Sequence, residues 1–596
     1  MAGRKSPLIP RLAAPLAFAL AFALPLGLPA QAGADAAAEA PGIAGPYLAA
    51  EAAARRGDVA AAARWYADAL EADPSNRTLL SKAIVHLVGA GQAGRAVPLA
   101  ERLEATEPGH HLGVLMLAVE ALRTGDPAAA RARLASAEDG SGPFVGQLIS
   151  AWAAFAAGDA AAARDSLARL EEGDAAGAAG NIVAAYHQAL LEAAAGRDAE
   201  ALTAIDHAIA SADGATGRLI RVRAGILARL GRLDEARAAV DESLAATLGD
   251  PRLERLADDL ANGRVPPPLV TTGAQGAAEA LFGVSGFLLR GPNRQIGLAY
   301  ARLAVLLDPD LAEGWLLIGD ILNEGGQHEL ATVAYDAVPR DAPEALEAAI
   351  GRARALEAAD RRDEGIGVLR ETAAAQPRAL EAQLGLGDML RRAERWAEAA
   401  DAYDAALRLI DRPEQRHWAL YYQRGIAYER SDQWDKAEAD FLKALELEPD
   451  QPLVLNYLGY SWVEQRKNLD EARAMIEQAV EQRPEDGYIV DSLGWVLYRL
   501  GEFEEAAAHL ERAVELLPTD PVINDHYGDA LWMIGRKTEA RFQWKRSISF
   551  EPEEKDAERI AKKLRQGLDA VVAEETAAGE PAVIKSTAGA AKPNGG

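Results

Sequence analysis

The sequence predicts an all-α fold, a right-handed α-solenoid of about 14 helix-turn-helix repeats. The first observation behind this prediction is length, because 596 residues are too many for one compact hydrophobic core. In a solenoid each repeat packs only on its neighbours, so the chain can lengthen without a central core. The second observation is a period of about 34 residues, which is the length of one helix-turn-helix unit.

The period is clearest in the C-terminal half, where four units share one pattern. Each unit has a small residue, a large residue four positions later, a small residue three positions after that, and a closing proline after five more. The members are Ala437, Phe441, Ala444, Pro449; Ala472, Ile476, Ala479, Pro484; Ala506, Leu510, Ala513, Pro518; and Ala540, Trp544, Ser547, Pro552. Because proline cannot donate the next helical hydrogen bond, each closing proline predicts the end of a second helix.

A glycine marks the first helix of three of these units. The glycine and the large residue three positions later are Gly425 and Tyr428, Gly459 and Trp462, and Gly494 and Leu497. The glycine is expected to face the small residue that opens the second helix, which lets two helix backbones approach closely. The large motif residues, Tyr428, Trp462 and Trp544 among them, are expected to pack between the helices.

These two signatures resemble the tetratricopeptide-repeat (TPR) family of helical solenoids. The resemblance covers nearly the whole mature chain. In the N-terminal half Ala62, Tyr66, Ala69 and Pro74 recur 34 residues later as Ala96, Ala100, Leu103 and Pro108, and alanine replaces most large residues in the weaker units that follow. We expect about six units before residue 250 and about eight after residue 278.

The predicted organisation divides the chain into consecutive segments. They are a signal peptide (1–32), a linker (33–42), an N-terminal array (43–250), a proline-rich break (251–277), a C-terminal array (278–554), a capping helix (555–572) and a disordered tail (573–596). The break interrupts the repeat period, and its triple proline at 266–268 cannot be helical. The cap carries Ile560, Leu564, Leu568 and Val572 on one helical face, as a cover for the last repeat requires.

The N-terminus has the pattern of a secretory signal peptide. Arg4, Lys5 and Arg11 precede an apolar stretch at 12–28, and small residues end the pattern at Ala32. We predict cleavage near Ala32 and a periplasmic protein with no membrane span after cleavage. The alternative is a retained membrane anchor, for which the apolar stretch is short because a spanning helix needs about 20 residues.

The composition excludes several classes of function. The formal net charge of −27 repels the phosphates of nucleic acids, so no nucleic-acid partner is expected. Cysteine is absent, which excludes a thiol nucleophile and a disulfide. The string GAGQAG at 89–94 fits a dinucleotide-binding fingerprint, but it follows a helical pattern rather than a strand. The histidines have no zinc-binding spacing, so we predict no catalytic residues, no metal and no cofactor.

Aromatic residues are concentrated in the C-terminal array, where eight of the ten tryptophans lie between residues 315 and 544. In the TPR family the first helices form a concave wall, and the resemblance implies that particular first-helix positions point into it. Those positions hold Tyr422, Ile426, Asn456, Tyr460, Tyr488, Asp491, Trp495, Tyr498, Arg499, Asp525, Asp529 and Trp532. We predict a groove there that binds a protein partner. Packing between helices is an equally open alternative for four of them, namely Tyr460, Trp495, Tyr498 and Trp532.

Two strings of the C-terminal array resemble a proteobacterial cell-envelope family of TPR proteins: LNYLGYSWVEQRKNLDEA at 455–472 and DGYIVDSLGWVLYRLGEFEEA at 486–506. Some members of that family are lipoprotein adaptors that bring substrates to a carboxyl-terminal-processing protease, which trims peptidoglycan hydrolases. The resemblance therefore implies an exported adaptor with an envelope protease or cell-wall hydrolases as partners, although the lipid-attachment cysteine is missing. The N-terminal array would supply a second binding surface. Two alternatives stay open: an assembly factor for exopolysaccharide export or outer-membrane proteins, and an enzyme.

Overall fold

The computed structural model describes residues 42–135, 144–172, 177–212, 216–246, 250–289, 291 and 293–577. The predicted signal peptide, the linker up to residue 41 and the tail from residue 578 lie outside the described residues. Over the described part of the chain the regular structure consists of 31 α-helices and a 3-10 turn at Gln415–His417. The all-α prediction is confirmed.

The helices follow one another as antiparallel pairs joined by short turns. Those of the N-terminal half are α1 (Ala44–Arg55), α2 (Val59–Ala72), α3 (Arg77–Gly89), α4 (Ala93–Thr106), α5 (His111–Arg123), α6 (Pro127–Ala135), α7 (Phe144–Ala156), α8 (Ala160–Glu172), α9 (Gly177–Ala194), α10 (Asp198–Ser211), α11 (Gly217–Arg229), α12 (Leu233–Ala246), α13 (Pro251–Ala261), α14 (Gly273–Leu289) and α15 (Arg294–Leu307). Those of the C-terminal half are α16 (Ala312–Glu324), α17 (His328–Asp336), α18 (Ala345–Ala358), α19 (Arg362–Ala375), α20 (Leu380–Arg392), α21 (Trp396–Leu407), α22 (Trp418–Glu429), α23 (Trp434–Leu447), α24 (Pro452–Glu464), α25 (Leu469–Gln482), α26 (Gly487–Leu500), α27 (Phe503–Leu516), α28 (Pro521–Met533), α29 (Lys537–Ser549), α30 (Glu554–Gln566) and α31 (Leu568–Ala577).

Glycine in a first helix lets the large residue of the second helix approach its backbone. A Cβ atom placed on Gly425 would lie 2.7 Å from Cε1 of Phe441, and one on Gly494 would lie 2.6 Å from Cγ of Leu510. Both distances are shorter than van der Waals contact, so a side chain at either position would force the helices apart. Phe441 and Leu510 are fully buried, as the repeat pattern predicts.

The hairpin α14–α15 does not continue the stack of the N-terminal array. Helix α14 packs on α7 and α9, and α15 packs on α3 and α5, all of which are first helices of N-terminal pairs. These first helices form the inner wall of the array, so the hairpin fills the interior. The inner wall is therefore not free to act as the second binding surface expected from the sequence.

The break expected at 251–277 is shorter in the structure. The segment contains α13, which packs on α11 and α12, and α14 already begins at Gly273. Asp250 caps α13, since its side chain accepts a hydrogen bond from the backbone N–H of Arg252 at 3.0 Å. The part without a helix is 262–272, which holds the triple proline.

Trp152 is the centre of the contact between the array and the inner hairpin. Its side chain is fully buried, and Nε1 donates a hydrogen bond to Nδ1 of His187 at 3.0 Å. A Cβ atom placed on Gly276 of α14 would lie 1.9 Å from Cδ2 of Trp152. Helix α14 can lie against the indole only because residue 276 has no side chain. Burial lowers the pKa of His187 to about 4, so its ring is neutral at pH 7 and accepts the bond.

A buried ionic network joins the array, the inner hairpin and the C-terminal half. Glu279 of α14 accepts hydrogen bonds from Tyr186 at 2.8 Å and from Nε of Arg218 at 2.7 Å. Arg218 also pairs with Glu313 of α16, which lies 3.1 Å from Arg221. Burial alone would raise the pKa of Glu313, but Arg218 and Arg221 lower it to about 2. The two halves are therefore connected by paired charges as well as by the chain.

The array curls around the hairpin until its first pair meets the C-terminal half. Gly57 lies in the turn between α1 and α2, and a Cβ atom placed there would lie 3.4 Å from the carbonyl oxygen of Gly325, which follows α16. Arg302 of α15 crosses the turn between α3 and α4, with Nε 3.3 Å from the carbonyl oxygen of Gly89. The C-terminal end of α16 thus lies against the first helical pair. Near its N-terminal end, Glu313 of α16 forms ion pairs with α11.

The described residues end in a short hairpin rather than in the single capping helix expected at 555–572. Gly567 separates α30 from α31 with a φ of 87°, a conformation that favours glycine. Lys563 of α30 is fully buried and lies 2.7 Å from the carboxylates of Asp525 and Asp529 of α28. This terminal hairpin, α30 and α31, covers the inner face of the last pair and extends to Ala577.

Candidate protein-binding groove

The inner wall of the C-terminal half is formed by the first helices of its pairs. Helix α16 contacts α18, α18 contacts α20, α24 contacts α26, and α26 contacts α28. The residues predicted to bind a partner lie on α22, α24, α26 and α28. We call this part of the wall, from α22 to α28, the C-terminal groove.

Glu464 connects predicted residues at the centre of the groove. Nε1 of Trp495 donates a hydrogen bond to Oε1 of Glu464 at 3.2 Å, and Arg499 donates one to the same oxygen at 2.7 Å. Burial raises the pKa of Tyr460, and the charge of Glu464 adds to that effect. Sequence reasoning missed Glu464, although its position four residues after Tyr460 on the same helix face was a signal.

Trp495 lies between two other rings. Its ring centroid is 4.0 Å from that of His526 and 4.9 Å from that of Tyr498, and both pairs are stacked. Nδ1 of His526 lies 3.1 Å from the carboxylate of Asp491. Burial alone would lower the pKa of His526, but Asp491 and the nearby carboxylates outweigh burial and raise it. The indole of Trp495 is therefore held in one orientation by stacking and hydrogen bonding.

Tyr488 is the predicted residue most open to a partner. Tyr488 is 62% exposed. Tyr422 is partly buried, with its ring edge against Tyr457 at a centroid distance of 6.0 Å. Asn456 is also partly buried, and its Oδ1 has no hydrogen-bond partner among the described residues. Oδ1 of Asn456 is itself closed off from solvent, so the ring of Tyr488 is the group that a bound peptide can contact most directly.

Tyr498 and Trp532, for which packing between helices was the open alternative, are buried. Their exposed fractions are 1% and 7%. The terminal hairpin covers this region, because a Cβ atom placed on Gly567 would lie 2.7 Å from Cζ2 of Trp532. Asp525 is also withdrawn from a partner, since its carboxylate accepts a hydrogen bond from Lys563 at 2.7 Å. The terminal hairpin therefore occupies the end of the groove in which a protein partner was expected to bind.

The sequence contained a signal for this contact in two charge patterns of equal spacing. Asp525 and Asp529 are four residues apart on α28, as are Arg559 and Lys563 on α30, so each pair lies on one face of its helix. Arg559 lies 3.3 Å from Asp529 and 2.7 Å from Glu575. Burial raises the pKa of Asp525 even though Lys563 opposes the shift.

A cavity of about 580 Å³ remains between the terminal hairpin and the groove. We call it the terminal cavity. Its lining residues are Glu464, Arg466, Trp495, Arg499, Pro521, Val522, Asp525, His526, Pro552, Lys555, Asp556, Arg559, Ile560 and Glu575. The side chain of Arg499 is only 11% exposed, and its Nε has no hydrogen-bond partner among the described residues. The cavity volume falls within the ~300–1,000 Å³ of typical ligand sites.

Other kinds of site find no support in the described part of the chain. The string at 89–94 lies in the turn between α3 and α4, so a helix and not a strand enters it. Among the described residues, three or more His, Asp or Glu side chains nowhere come together in an arrangement able to hold a metal ion. The helices of the described residues are all too short or too polar to cross a bilayer.

Comparison with known proteins places repeats in the C-terminal half. Two tetratricopeptide-repeat family models match, one at residues 350–413 and 463–521 and the other at 418–451. A TPR repeat-containing protein of Pseudomonas aeruginosa, PA4667, is 35% identical over 83 residues, which are 14% of this chain and 14% of that protein. The human nuclear autoantigenic sperm protein is 33% identical over 91 residues, 15% of this chain and 12% of that protein.

Solved structures with similar features are distant in sequence. The chain is 16% identical to one in the APC/C hetero-tetramer Cut9-Hcn1, covering 89% of this chain and 97% of that one with a TM-score of 0.35. It is 22% identical to MamA, covering 28% of this chain and 97% of that one with a TM-score of 0.25. The family matches and the helical pairs described above show that the chain contains tetratricopeptide repeats at residues 350–413, 418–451 and 463–521.

Proposed function

We propose that this protein is a protein-protein interaction scaffold that holds a segment of another protein in its C-terminal groove. The observation that carries the proposal is the difference between the two inner walls. The wall of the N-terminal half is filled by the chain's own α14–α15 hairpin, whereas the C-terminal groove presents the exposed ring of Tyr488 and the partly buried ring of Tyr422. Aromatic anchors of this kind contribute about 2 kcal/mol or more each to binding when a partner covers them.

The test compares one tyrosine and one phenylalanine whose side chains have nearly the same exposed fraction. Tyr488 on α26 in the groove is 62% exposed, and Phe542 on α29, a second helix, is 61% exposed. A photo-crosslinking amino acid is placed at either position, and the full chain is irradiated in the cell-envelope fraction and in the cytosol. We expect specific adducts from position 488 and few from position 542.

Truncation variants then establish whether the groove contributes affinity. Tyr488→Ala is expected to weaken capture of the crosslinked partner about 30-fold, which corresponds to about 2 kcal/mol. Phe542→Ala removes an equally exposed ring and is expected to leave capture unchanged. Equal adducts from both positions, or equal loss in both variants, would contradict the proposal. Recovery of a glycan polymer instead of protein adducts would favour the exopolysaccharide alternative.

The finer part of the proposal is an exported adaptor that presents substrates to an envelope protease. Its support is the signal-peptide pattern ending at Ala32 and the resemblance of 455–472 and 486–506 to envelope TPR adaptors. N-terminal sequencing of the mature protein is expected to begin at Gly33, and the protein is expected in the periplasmic fraction. Among the crosslinked partners we expect a protease or a cell-wall hydrolase. A cytosolic protein with an intact Met1 would rule this part out and leave the scaffold proposal standing.

A further inference from the structure

We propose that the terminal cavity is a subsite for a carboxylate side chain of the protein segment bound in the C-terminal groove. This inference rests on the proposed function, because the cavity adjoins the groove through Trp495 and Arg499. It specifies the chemistry of the partner as an acidic segment. Some charged groups around the cavity already have partners within the chain, and others do not.

Most carboxylates that line the cavity are already paired with cations of the chain. Glu464 accepts a hydrogen bond from Arg499 at 2.7 Å. Asp525 accepts one from Lys563 at 2.7 Å. Glu575 accepts one from Arg559, also at 2.7 Å. Asp556 is the one lining carboxylate for which no ion pair forms among the described residues.

Two cations at the rim of the cavity are without such partners. Arg466 and Lys555 both line the cavity and are exposed, and within the described ranges neither has a carboxylate at ion-pair distance. Arg466 follows α24 in a turn with a φ of 60°, and Lys555 lies in the first turn of α30. The unpaired groups of the lining are therefore two cations and one carboxylate, in a chain whose net charge is −27.

One cation that lines the cavity also has a buried donor without an acceptor. Nε of Arg499 is buried without an acceptor, although the guanidinium is held in place by Glu464. A buried donor without an acceptor is unfavourable. A carboxylate in the cavity would lie close to the exposed cations Arg466 and Lys555, and charge-assisted hydrogen bonds of this kind are the stronger ones. Trp495 forms the adjoining wall for the apolar part of the segment.

The probe is an array of octapeptides with acetylated N-termini and amidated C-termini, incubated with the full chain. Each peptide with one Glu is matched by the same peptide with Gln, and a third set has Gln with a free C-terminal carboxylate. We expect a subset of Glu peptides to bind at least about tenfold more tightly than their Gln partners, as a partly buried charge pair allows. If only the free C-termini bind, the carboxylate comes from a chain end and the side-chain subsite is overturned.

Charge reversal assigns the effect to this cavity. In the double variant Arg466→Glu with Lys555→Glu we expect the preference for Glu over Gln to disappear, while Lys-containing peptides gain. Arg512→Glu is the matched control, because Arg512 is 45% exposed on α27 and pairs with Glu485 away from the cavity. Circular dichroism melts confirm that each variant is folded. An acidic preference that survives the double reversal, or no preference in the wild type, overturns the subsite.

The result separates this inference from the proposed function. Peptides that bind through Tyr488 without any preference for Glu would overturn the subsite and leave the scaffold in place. Absence of position-488 adducts in the crosslinking experiment would overturn the scaffold itself.

Discussion

Lys563 lies 2.7 Å from the carboxylate of Asp529, and neither side chain is exposed to solvent. A second carboxylate, that of Asp525, lies at the same distance from the ammonium group. Two acids and one amine are thus desolvated together where the terminal hairpin meets α28. Such a cluster contributes little when complete, but it is costly to break because the remaining charges stay buried.

The first prediction removes the cation of this cluster. Lys563→Met keeps the length and the apolar stem of the side chain, and we expect it to lower the free energy of unfolding by about 3–5 kcal/mol. Lys562→Met changes the exposed neighbour and is expected to have an effect below about 0.5 kcal/mol. Urea denaturation followed by circular dichroism measures both variants. Similar stabilities for the two would mean that the buried lysine is not paired as described.

The second prediction concerns the fit of the inner hairpin. Gly276→Ala would place a methyl group against the ring of Trp152, so we expect a loss of about 1–3 kcal/mol or more from overpacking. Gly283→Ala on the same helix has open space and is expected to be neutral or stabilising by up to about 1 kcal/mol. Thermal unfolding of the two variants provides the comparison. A tolerated alanine at 276 would show that α14 does not lie against Trp152.

The third prediction is a pH dependence that originates from His187. Its pKa is about 4 in the folded chain, lowered by burial, against an unfolded value of 6.5. Because the folded pKa is depressed, the unfolded state binds the proton first as pH falls below 6.5, and stability decreases between there and pH 4. We expect the titration of His187 alone to lower the free energy of unfolding by about 2 kcal/mol from pH 7 to pH 5.

The variant His187→Gln removes that contribution. Urea denaturation at pH 7 and pH 5 should show a smaller loss on acidification in the variant than in the wild type, by about the same 2 kcal/mol. An identical loss in both proteins would mean that His187 is protonated in the folded state.

The fourth prediction tests the connection between the two halves. Arg218→Met leaves Glu279 buried without its cation, and we expect a loss of about 3–5 kcal/mol together with faster amide hydrogen exchange in α14 and α16. Arg223→Met is the control, because Arg223 pairs at 2.6 Å with Asp206, which is 48% exposed. Exchange that stays slow in α14 and α16 of Arg218→Met would contradict a joint role of this arginine.

The repeat architecture was predictable because its signals are local. Phe441, Leu510 and Trp544 recur at one position of a 34-residue period, and all three are fully buried at the predicted places. The position of α14 was not predictable in this way, since its sequence has the same helical pattern as a further repeat. What decides its place is the complementary shape of Gly276 and Trp152, which are far apart in the sequence.

Some features of the candidate site were predictable from local sequence, and others depend on contacts between distant parts of the chain. Helix position alone predicted that Tyr488 and Asn456 lie on the inner wall. Tyr498 and Trp532 each lie four residues after the glycine of their first helix, and both are buried, Trp532 against Gly567 of the terminal hairpin. The charge patterns of α28 and α30 were visible in the sequence, yet their pairing depends on how the chain folds back at Gly567.

The insertion of α14–α15 also fixes an order of events during biosynthesis. Chains emerge from their N-terminus, so the inner wall with Trp152 is complete before residues 273–307 exist to cover it. Until that moment a large apolar surface faces water, and it is a target for chaperones or for aggregation. A fragment that stops at residue 250 keeps this surface permanently uncovered. We therefore expect a well-behaved fragment of the N-terminal half to run beyond the array itself, to the end of α15.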